Sequence, residues 1–300
     1  MPLIGALAMS HGPQLLTPPE KWAALRDNPA KSPESDRFDA HLTPDAMRAH
    51  AARCERAIAD LRSRVAAWQP DAILVVGDDQ NENILKDNSP PFTIYIGHGV
   101  TATLKYGYFG TDESQQISSY KTDPSLSEAI LISLMEQGFD PSWSRATRYP
   151  GGLGHAFGRA LKFLTPDAAI PIIAVMVNTY HPPVPSPKRC VQFGQALGEA
   201  VREASGAKRV LLLASGGLSH TIIDEALDAG FIDAMRARDF AHMERMPPAK
   251  LVRGSSEIRN WMVVSAASQV PAEMIDYVPC YRTRHGVGCA MGFAFWKEAA

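Results

Sequence analysis

What the 300-residue chain lacks already excludes several classes of protein. Cysteine is scarce: Cys54, Cys190, Cys280 and Cys289 stand far apart with no CxxC spacing. Neither a disulfide framework nor a zinc ribbon is indicated, and a reducing, cytoplasmic setting is the default expectation. Excess charge of either sign is also missing. Thirty Lys and Arg against 32 Asp and Glu leave a formal charge of −2, so no nucleic-acid partner is expected. No segment approaches the ~18 to 20 unbroken apolar residues of a membrane span, so no membrane association is expected either. The opening MPLIGALAMSHGP has no basic n-region and is broken by Ser10 and His11, which argues against a signal peptide. Four catalytic signatures are missing too. There is no GxSxG elbow, no GxxxxGK[ST] phosphate loop, no HExxH helix, and no GxGxxG after the first strand.

What is present is an apolar chain with alternating element types. Hydrophobic residues make up 45% of it, enough at this length to bury on the order of 75% of the unfolded surface without staples. Short apolar runs that end in polar or Gly-rich segments predict strands at Leu3–Met9, Ala72–Val76, Phe92–Ile96, Ile170–Val177, Val210–Ala214 and Cys289–Phe295. Between them, Met47, Ala51, Cys54, Ile58, Leu61, Val65 and Trp68 recur at steps of four and three. That spacing predicts one long amphipathic helix, with Thr43 as N-cap ahead of Pro44. Shorter helices are predicted at Ser125–Gln137, Cys190–Ala204, Asp224–Met243 and Ser256–Ala267. Buried strands alternating with helices predict a single α/β domain over residues 1–300, with a central, largely mixed sheet flanked by helices. The Pro-rich stretches Thr17–Pro33 and His181–Pro187 read as loops, and no internal repeat is evident.

The chemistry gathers where strands end. The first strand runs into Ser10-His11-Gly12 and the second into Gly77-Asp78-Asp79-Gln80-Asn81-Glu82. The Ile170–Val177 strand runs into Asn178-Thr179-Tyr180-His181-Pro182-Pro183, and the Val210 strand into Ser215-Gly216-Gly217-Leu218-Ser219-His220. If these strands are parallel, all four loops meet outside their carboxyl ends, where open α/β sheets bind ligands. Residue chemistry alone leaves the individual roles open. His11 is a loop histidine or a metal ligand and proton carrier. The glycines before His220 and His155 mark sharp turns or a close approach of backbone to a ligand. Glu257, at a helix start, has an ordinary reading as a carboxylate favoured by the helix dipole.

Taken in chain order, these segments resemble the class III extradiol ring-cleavage dioxygenases, including the catalytic β subunit of protocatechuate 4,5-dioxygenase. The matching stretches are Val177–Pro183 with Lys188-Arg189-Cys190, then Ser215–His220, Gly254–Trp261 and Gly154-His155. The resemblance implies a non-haem Fe(II) enzyme that opens a catechol-like aromatic acid or hydroxypyridine with O2, as in aromatic compound degradation. In that family two histidines and one glutamate hold the iron on one face. Carried over, His11 matches the first ligand and Glu257 the carboxylate, while His220 matches the acid/base histidine and His155 a second pocket histidine. Gln80 stands where the family has its second ligand histidine. Direct ligation by Gln80, substitution by Asp79, His50 or His98, and loss of the iron all remain open. Tyr180 and His181 are expected to line the substrate pocket. Lys188, Arg189, Arg282 or Arg284 would pair with a substrate carboxylate or be surface charges, with Arg282 the preferred choice. The resemblance implies a homo-oligomer, with or without a small partner subunit. A zinc-dependent hydrolase or lyase, or a metal-free binding homologue, are the competing readings.

Overall fold

The computed structural model describes residues 2–25, 32–104 and 117–298. Eleven strands and seven α-helices occur among them. In chain order they are β1 (Leu3–Met9), α1 (Pro44–Trp68), β2 (Ala72–Asp78), β3 (Phe92–Tyr95), β4 (Val100–Thr103) and β5 (Ile117–Tyr120). There follow α2 (Pro124–Glu136), β6 (Ser142–Ser144), α3 (His155–Leu164), β7 (Ile172–Val177), α4 (Pro187–Ala204) and β8 (Val210–Ser215). The chain ends with β9 (His220–Ile222), α5 (Glu225–Ala237), α6 (Phe240–Arg245), α7 (Ile258–Ala267), β10 (Glu273–Tyr281) and β11 (Val287–Lys297).

The main sheet has the order β10-β11-β1-β8-β2-β7-β3-β6, with β9 added against β11. Its centre, β1-β8-β2-β7, is parallel throughout, while β11 and β3 join its two sides antiparallel. The sheet is therefore mixed, as expected from sequence, and the four loops of interest leave it at one end. β4 and β5 form a separate hairpin.

Strand alternation sorts side chains into two helix layers. Ala6, Ala8, Leu74, Val76, Val175, Leu212 and Ala214 face one core with residues of α2, α4, α5 and α7. Leu7, Met9, Ile73, Val75, Ala174, Leu211 and Leu213 face the other with residues of α1 and α3. Both faces of the central strands are covered, so these strands read as unbroken apolar runs in the sequence. Each Leu, Ile or Val so placed contributes roughly 1.5–3 kcal/mol of transfer free energy.

The helix predicted from the four-and-three spacing is α1. Thr43 accepts a hydrogen bond from the Ala46 N–H at 3.2 Å, Pro44 opens the first turn, and Gln69 closes it in the left-handed region. Met47, Cys54, Ile58, Leu61 and Val65 are its buried face. The helix expected over Asp224–Met243 is two: Arg238 adopts φ +53°, and Asp239 then caps α6 by accepting from the His242 N–H. Likewise, Arg253–Glu257 is a 3₁₀ turn, and α7 starts at Ile258 rather than Ser256. β10 was hidden by its polar content and by Pro279, which a strand accepts at a sheet edge, where β10 lies. The first Pro-rich stretch contains a 3₁₀ turn at Pro19–Ala24, preceded by another at Pro13–Leu16, and its residues 26–31 lie outside the described residues. Cys54, Cys190, Cys280 and Cys289 are all buried free thiols. Among the described residues no helix is long and apolar enough to cross a membrane.

Candidate active site

The loops after β1, β2, β7 and β8, together with the 3₁₀ turn before α7, bring one set of polar side chains together under the sheet's carboxyl end. Buried arginines fix these loops. Arg159 of α3 donates to the carbonyls of His11 and Leu104 at 3.0 and 2.9 Å. Arg259 of α7 donates to those of Pro185, Leu251 and Ser256 at 2.9–3.2 Å, tying the loop after β7 to the turn that presents Glu257.

Glu257, 1% exposed, is the hub. Its Oε1 accepts from Gln80 Nε2 at 2.9 Å, Tyr180 Oη at 2.9 Å and His220 Nε2 at 3.1 Å. Its Oε2 accepts from the Gly217 N–H at 2.8 Å and lies 3.5 Å from His11 Nε2. Burial would raise the Glu257 pKa, but His220, His11 and the Gly217 N–H hold it well below the carboxylate range.

The tautomer of His11 follows from its neighbour. Ser215 Oγ gives its single proton to the Ala156 carbonyl, so at 3.0 Å from His11 Nδ1 it can only accept. Nδ1 therefore carries the proton, and Nε2 presents a lone pair toward Glu257. Burial lowers the His11 pKa to about 3, against the pull of Glu257, which keeps the ring neutral. A neutral imidazole nitrogen facing a carboxylate oxygen, acceptor to acceptor, suits a shared cation.

Asp78 completes that geometry. Its ligand oxygen, His11 Nε2 or Nδ1, and a Glu257 oxygen lie within 4.8 Å of one another, all from buried side chains. Asp78 Oδ2 accepts from Gln80 Nε2 at 2.9 Å and Oδ1 from Asn260 Nδ2 at 3.1 Å. Burial, and then Glu257, push the Asp78 pKa well above the carboxylate range. Asn260 also donates to the Ser215 carbonyl, while its buried Oδ1 has no hydrogen-bond partner among the described residues. One imidazole and two carboxylates on one side of a buried site form a donor set suited to a divalent first-row metal.

The two remaining histidines differ in protonation. His155 begins α3 beside His11, the rings edge to face with centroids 5.1 Å apart. Its Nδ1 lies 2.8 Å from Glu82 Oε1 and so carries a proton. Burial lowers the His155 pKa, opposed by Glu82. His220 is different. Its Nδ1 meets the Leu218 carbonyl at 2.9 Å and its Nε2 meets Glu257, so both nitrogens face acceptors and both carry protons. Burial opposes that charge, but Glu257 outweighs it and the pKa is pushed up to about 9. His220 is thus held as a proton donor.

Of the residues singled out from sequence, His11, Gln80, His155, Tyr180, His220 and Glu257 come together. His181 is buried beside them in chain order, its backbone clamped by Asn178, and its Nε2 has no hydrogen-bond partner among the described residues. Arg282 is buried at the β10–β11 turn and donates to the Leu25 carbonyl at 3.0 Å. The alternative ligands fare differently. Asp79 is spent on the loop itself, accepting from the N–H groups of Glu82, Asn83 and Ile84. His98 is exposed, and His50, on α1, lies with its ring tilted against that of His41, the centroids 5.6 Å apart. Asp78, Glu82, Ser215 and Asn260 were not assigned roles from sequence. Asp78 and Glu82 lie inside the flagged Gly77–Glu82 segment, so the signal was there without a way to rank three carboxylates.

Residues 5–292 match the family model described as the catalytic LigB subunit of aromatic ring-opening dioxygenase. Among curated relatives, a 2,3-dihydroxyphenylpropionate/2,3-dihydroxicinnamic acid 1,2-dioxygenase of Escherichia coli O139:H28 is 31% identical over 215 residues. The same figures hold for the protein so named in Escherichia coli K12 strain DH10B. The match covers 71% of this chain and 61% of those relatives, so the chain spans about three fifths of their length. A crystal structure of the uncharacterized Escherichia coli K12 protein JW3007 overlays with a TM-score of 0.48 at 13% identity, covering 97% of this chain and 99% of that one. With the family model spanning nearly all of the sequence, the chain belongs to the family of catalytic subunits of aromatic ring-opening dioxygenases.

Proposed function

We propose that this protein is a non-haem Fe(II)-dependent extradiol dioxygenase that opens the ring of a catechol-like aromatic acid or hydroxypyridine with O2. The observation that carries the proposal is the meeting of His11 Nε2, held as a bare lone pair, with buried carboxylate oxygens, two further histidines and a tyrosine around one point. His11 and Glu257 would hold the metal together with a third donor from the loop after β2. The chemistry an iron ion would supply when bound is acidification of the diol hydroxyls and a path for electrons between ring and oxygen.

The protein's own part is positioning and proton handling. His220 holds a proton at Nε2, on the side of Glu257, and is the group placed to deliver it to an oxygen as the ring opens. His155, fixed as the Nδ1–H tautomer by Glu82, keeps Nε2 unprotonated and can accept from a substrate hydroxyl. The Tyr180 hydroxyl donates into the same carboxylate and orients it. The buried His181 Nε2 and the Arg282 guanidinium are assigned to ring substituents, Arg282 to a carboxylate. Holding both reactants beside these groups makes the encounter effectively unimolecular. We place the enzyme in the cytoplasm as a homo-oligomer, with room in the assignment for a small partner subunit.

The test is oxygen uptake by anaerobically Fe(II)-loaded protein with protocatechuate, gallate, 2,3-dihydroxyphenylpropionate and dihydroxypyridines, following absorbance of the ring-opened product. Uptake matched by one equivalent of product supports the proposal. Activity that persists without oxygen, or a parent protein that binds no metal, overturns it.

A further inference from the structure

We propose that Asp78 is the third metal donor, with His11 and Glu257, and that Gln80 is a hydrogen-bonding clamp on the two carboxylates rather than a ligand. The inference rests on the metal-dependent assignment above and specifies which atoms of this chain hold the ion. Gln80 occupies the sequence position of a ligand histidine in the family it resembles, yet its amide nitrogen lies 2.9 Å from Asp78 Oδ2 and 2.9 Å from Glu257 Oε1. An amide nitrogen has two protons, and these two bonds use both. Turning the amide over would set its carbonyl oxygen against two carboxylate oxygens at the same distances, three acceptors facing one another.

Asp78, by contrast, is placed as a ligand. It is the last residue of β2, in register with Val177 of the neighbouring parallel strand, so a central strand fixes its backbone. Asn260 of α7 and Gln80 each donate one hydrogen bond to its carboxylate, one per oxygen. Each oxygen keeps a further lone pair. Asn260 also donates to the carbonyl of Ser215, whose hydroxyl orients His11. Two of the three donor side chains are thus set by one serine and one asparagine. Glu257 Oε1 is filled by three donors, which leaves Oε2, the oxygen nearer His11, for an ion.

A donor set of one imidazole and two carboxylates carries one more negative charge than two imidazoles and one carboxylate. It is richer in hard oxygen and favours ions such as Mn(II) and Fe(II). Gln80 matters in this arrangement because its two N–H groups fix the separation of the two carboxyl groups that would face the ion.

The experiment is Mn(II) titration of the purified protein followed by electron paramagnetic resonance, with metal content measured independently, on the parent, Asp78→Asn, Asp79→Asn and Gln80→Leu. Expected are one ion per parent chain, no saturable binding for Asp78→Asn, and full stoichiometry for Gln80→Leu with Kd raised ~10–100-fold, the usual cost of losing a group that orients a ligand. Asp79→Asn should bind one ion. Saturable, parent-like binding by Asp78→Asn, or loss of the ion from Gln80→Leu alone, overturns the assignment. An infrared difference spectrum of the parent with and without Mn(II), with ¹³C-labelled glutamine, needs no variant. No metal-induced shift of the glutamine carbonyl is expected, and a clear shift refutes the proposal. A parent that takes up no metal at all sinks the ring-cleavage assignment itself, which keeps the two failures distinct.

Discussion

Replacing Gly254 with alanine tests the placement of His220 most directly. The His220 ring lies between two glycines: a Cβ on Gly254 would fall against its Cδ2, Nε2 and Cγ, and one on Gly217 against its Nδ1 and Cε1. Carbon atoms prefer separations of about 3.5–4.0 Å, so Gly254→Ala must displace the ring by roughly an ångström or more. The bond from Nε2 to Glu257 is 3.1 Å long and does not survive a shift of that size. Two costs add: about 1–3 kcal/mol for overpacking, and about 1.5–3 kcal/mol for a hydrogen bond to a charged group. The expected destabilisation is about 2.5–6 kcal/mol, read by urea unfolding. Turnover on whichever diol the oxygen-uptake panel identifies should fall by ~10²-fold or more, the scale of a lost general acid, while the metal content stays at one ion. A double-mutant cycle isolates the cause. In a His220→Ala background the extra methyl meets no ring, so Gly254→Ala should then cost little. An equal cost in both backgrounds, or parent-like turnover in the single variant, would refute the account of His220.

Two further outcomes follow from the hydrogen bonds around the site. Ser215→Ala removes the acceptor of the His11 Nδ1 proton and so loosens the tautomer that leaves Nε2 bare. Mn(II) titration should show Kd raised ~10–100-fold, and an unchanged Kd would mean His11 is oriented by something else. Asp228 lies buried under His220's loop, accepting from the Ser219 N–H and hydroxyl and from the Tyr277 hydroxyl at 2.6–2.8 Å. Burial outweighs these bonds and raises its pKa from 3.8 to about 6. The folded state therefore binds this proton more tightly than the unfolded chain. The resulting stabilisation is fully present below pH ~4, is lost as pH rises through about 6, and amounts to roughly 3 kcal/mol. Asp228→Asn removes this titration, so parent-minus-variant stability should fall between pH ~4 and ~6 and stay flat above ~7. A difference that does not change over that range would contradict the raised pKa.

Much of this architecture was legible because burial writes itself into composition. A central parallel strand covered on both faces must be apolar at every position, so β1, β2, β7 and β8 stood out, and with them the loops that follow. His11, His155, His220 and Glu257 could be picked for the same reason: each follows a strand or stands at the start of a helix, within three residues of a glycine. What the glycines do there could not be read. Gly217 and Gly154 were expected to make room for a turn or a ligand, whereas Gly217, together with Gly254, makes room for the His220 ring, and a Cβ on Gly154 would press on the Glu82 carboxylate that holds His155. Gly254 lies 34 positions from His220 and Gly154 lies 72 from Glu82, and no local pattern encodes such contacts. Short strands such as β6 and β9 were missed on similar grounds, since three residues carry too little periodicity to register.

The stretch Asp78-Asp79-Gln80-Asn81-Glu82 shows where local reading stops and geometry takes over. Three carboxylates and an amide lie within five residues, all buried, and composition treats the acids as equivalent. The backbone separates them. β2 continues two residues beyond its last aliphatic side chain, so Asp78 keeps strand alternation and falls on the same side as Val76, toward α7 and Asn260. Asp79 is the first residue past the strand, and its carboxylate is consumed by the N–H groups of the turn it starts. Asn81 takes φ +71°, which turns the chain back and carries Glu82 to His155 and to the Gln80 N–H. One strand end and one left-handed residue thus divide three chemically similar acids into a metal donor, a loop brace and a histidine anchor. Matching the segment to a family by position alone points to Gln80, because alignment compares residues at equal places along the chain. The hydrogen bonds point to Asp78, because an ion is held by atoms that meet in space.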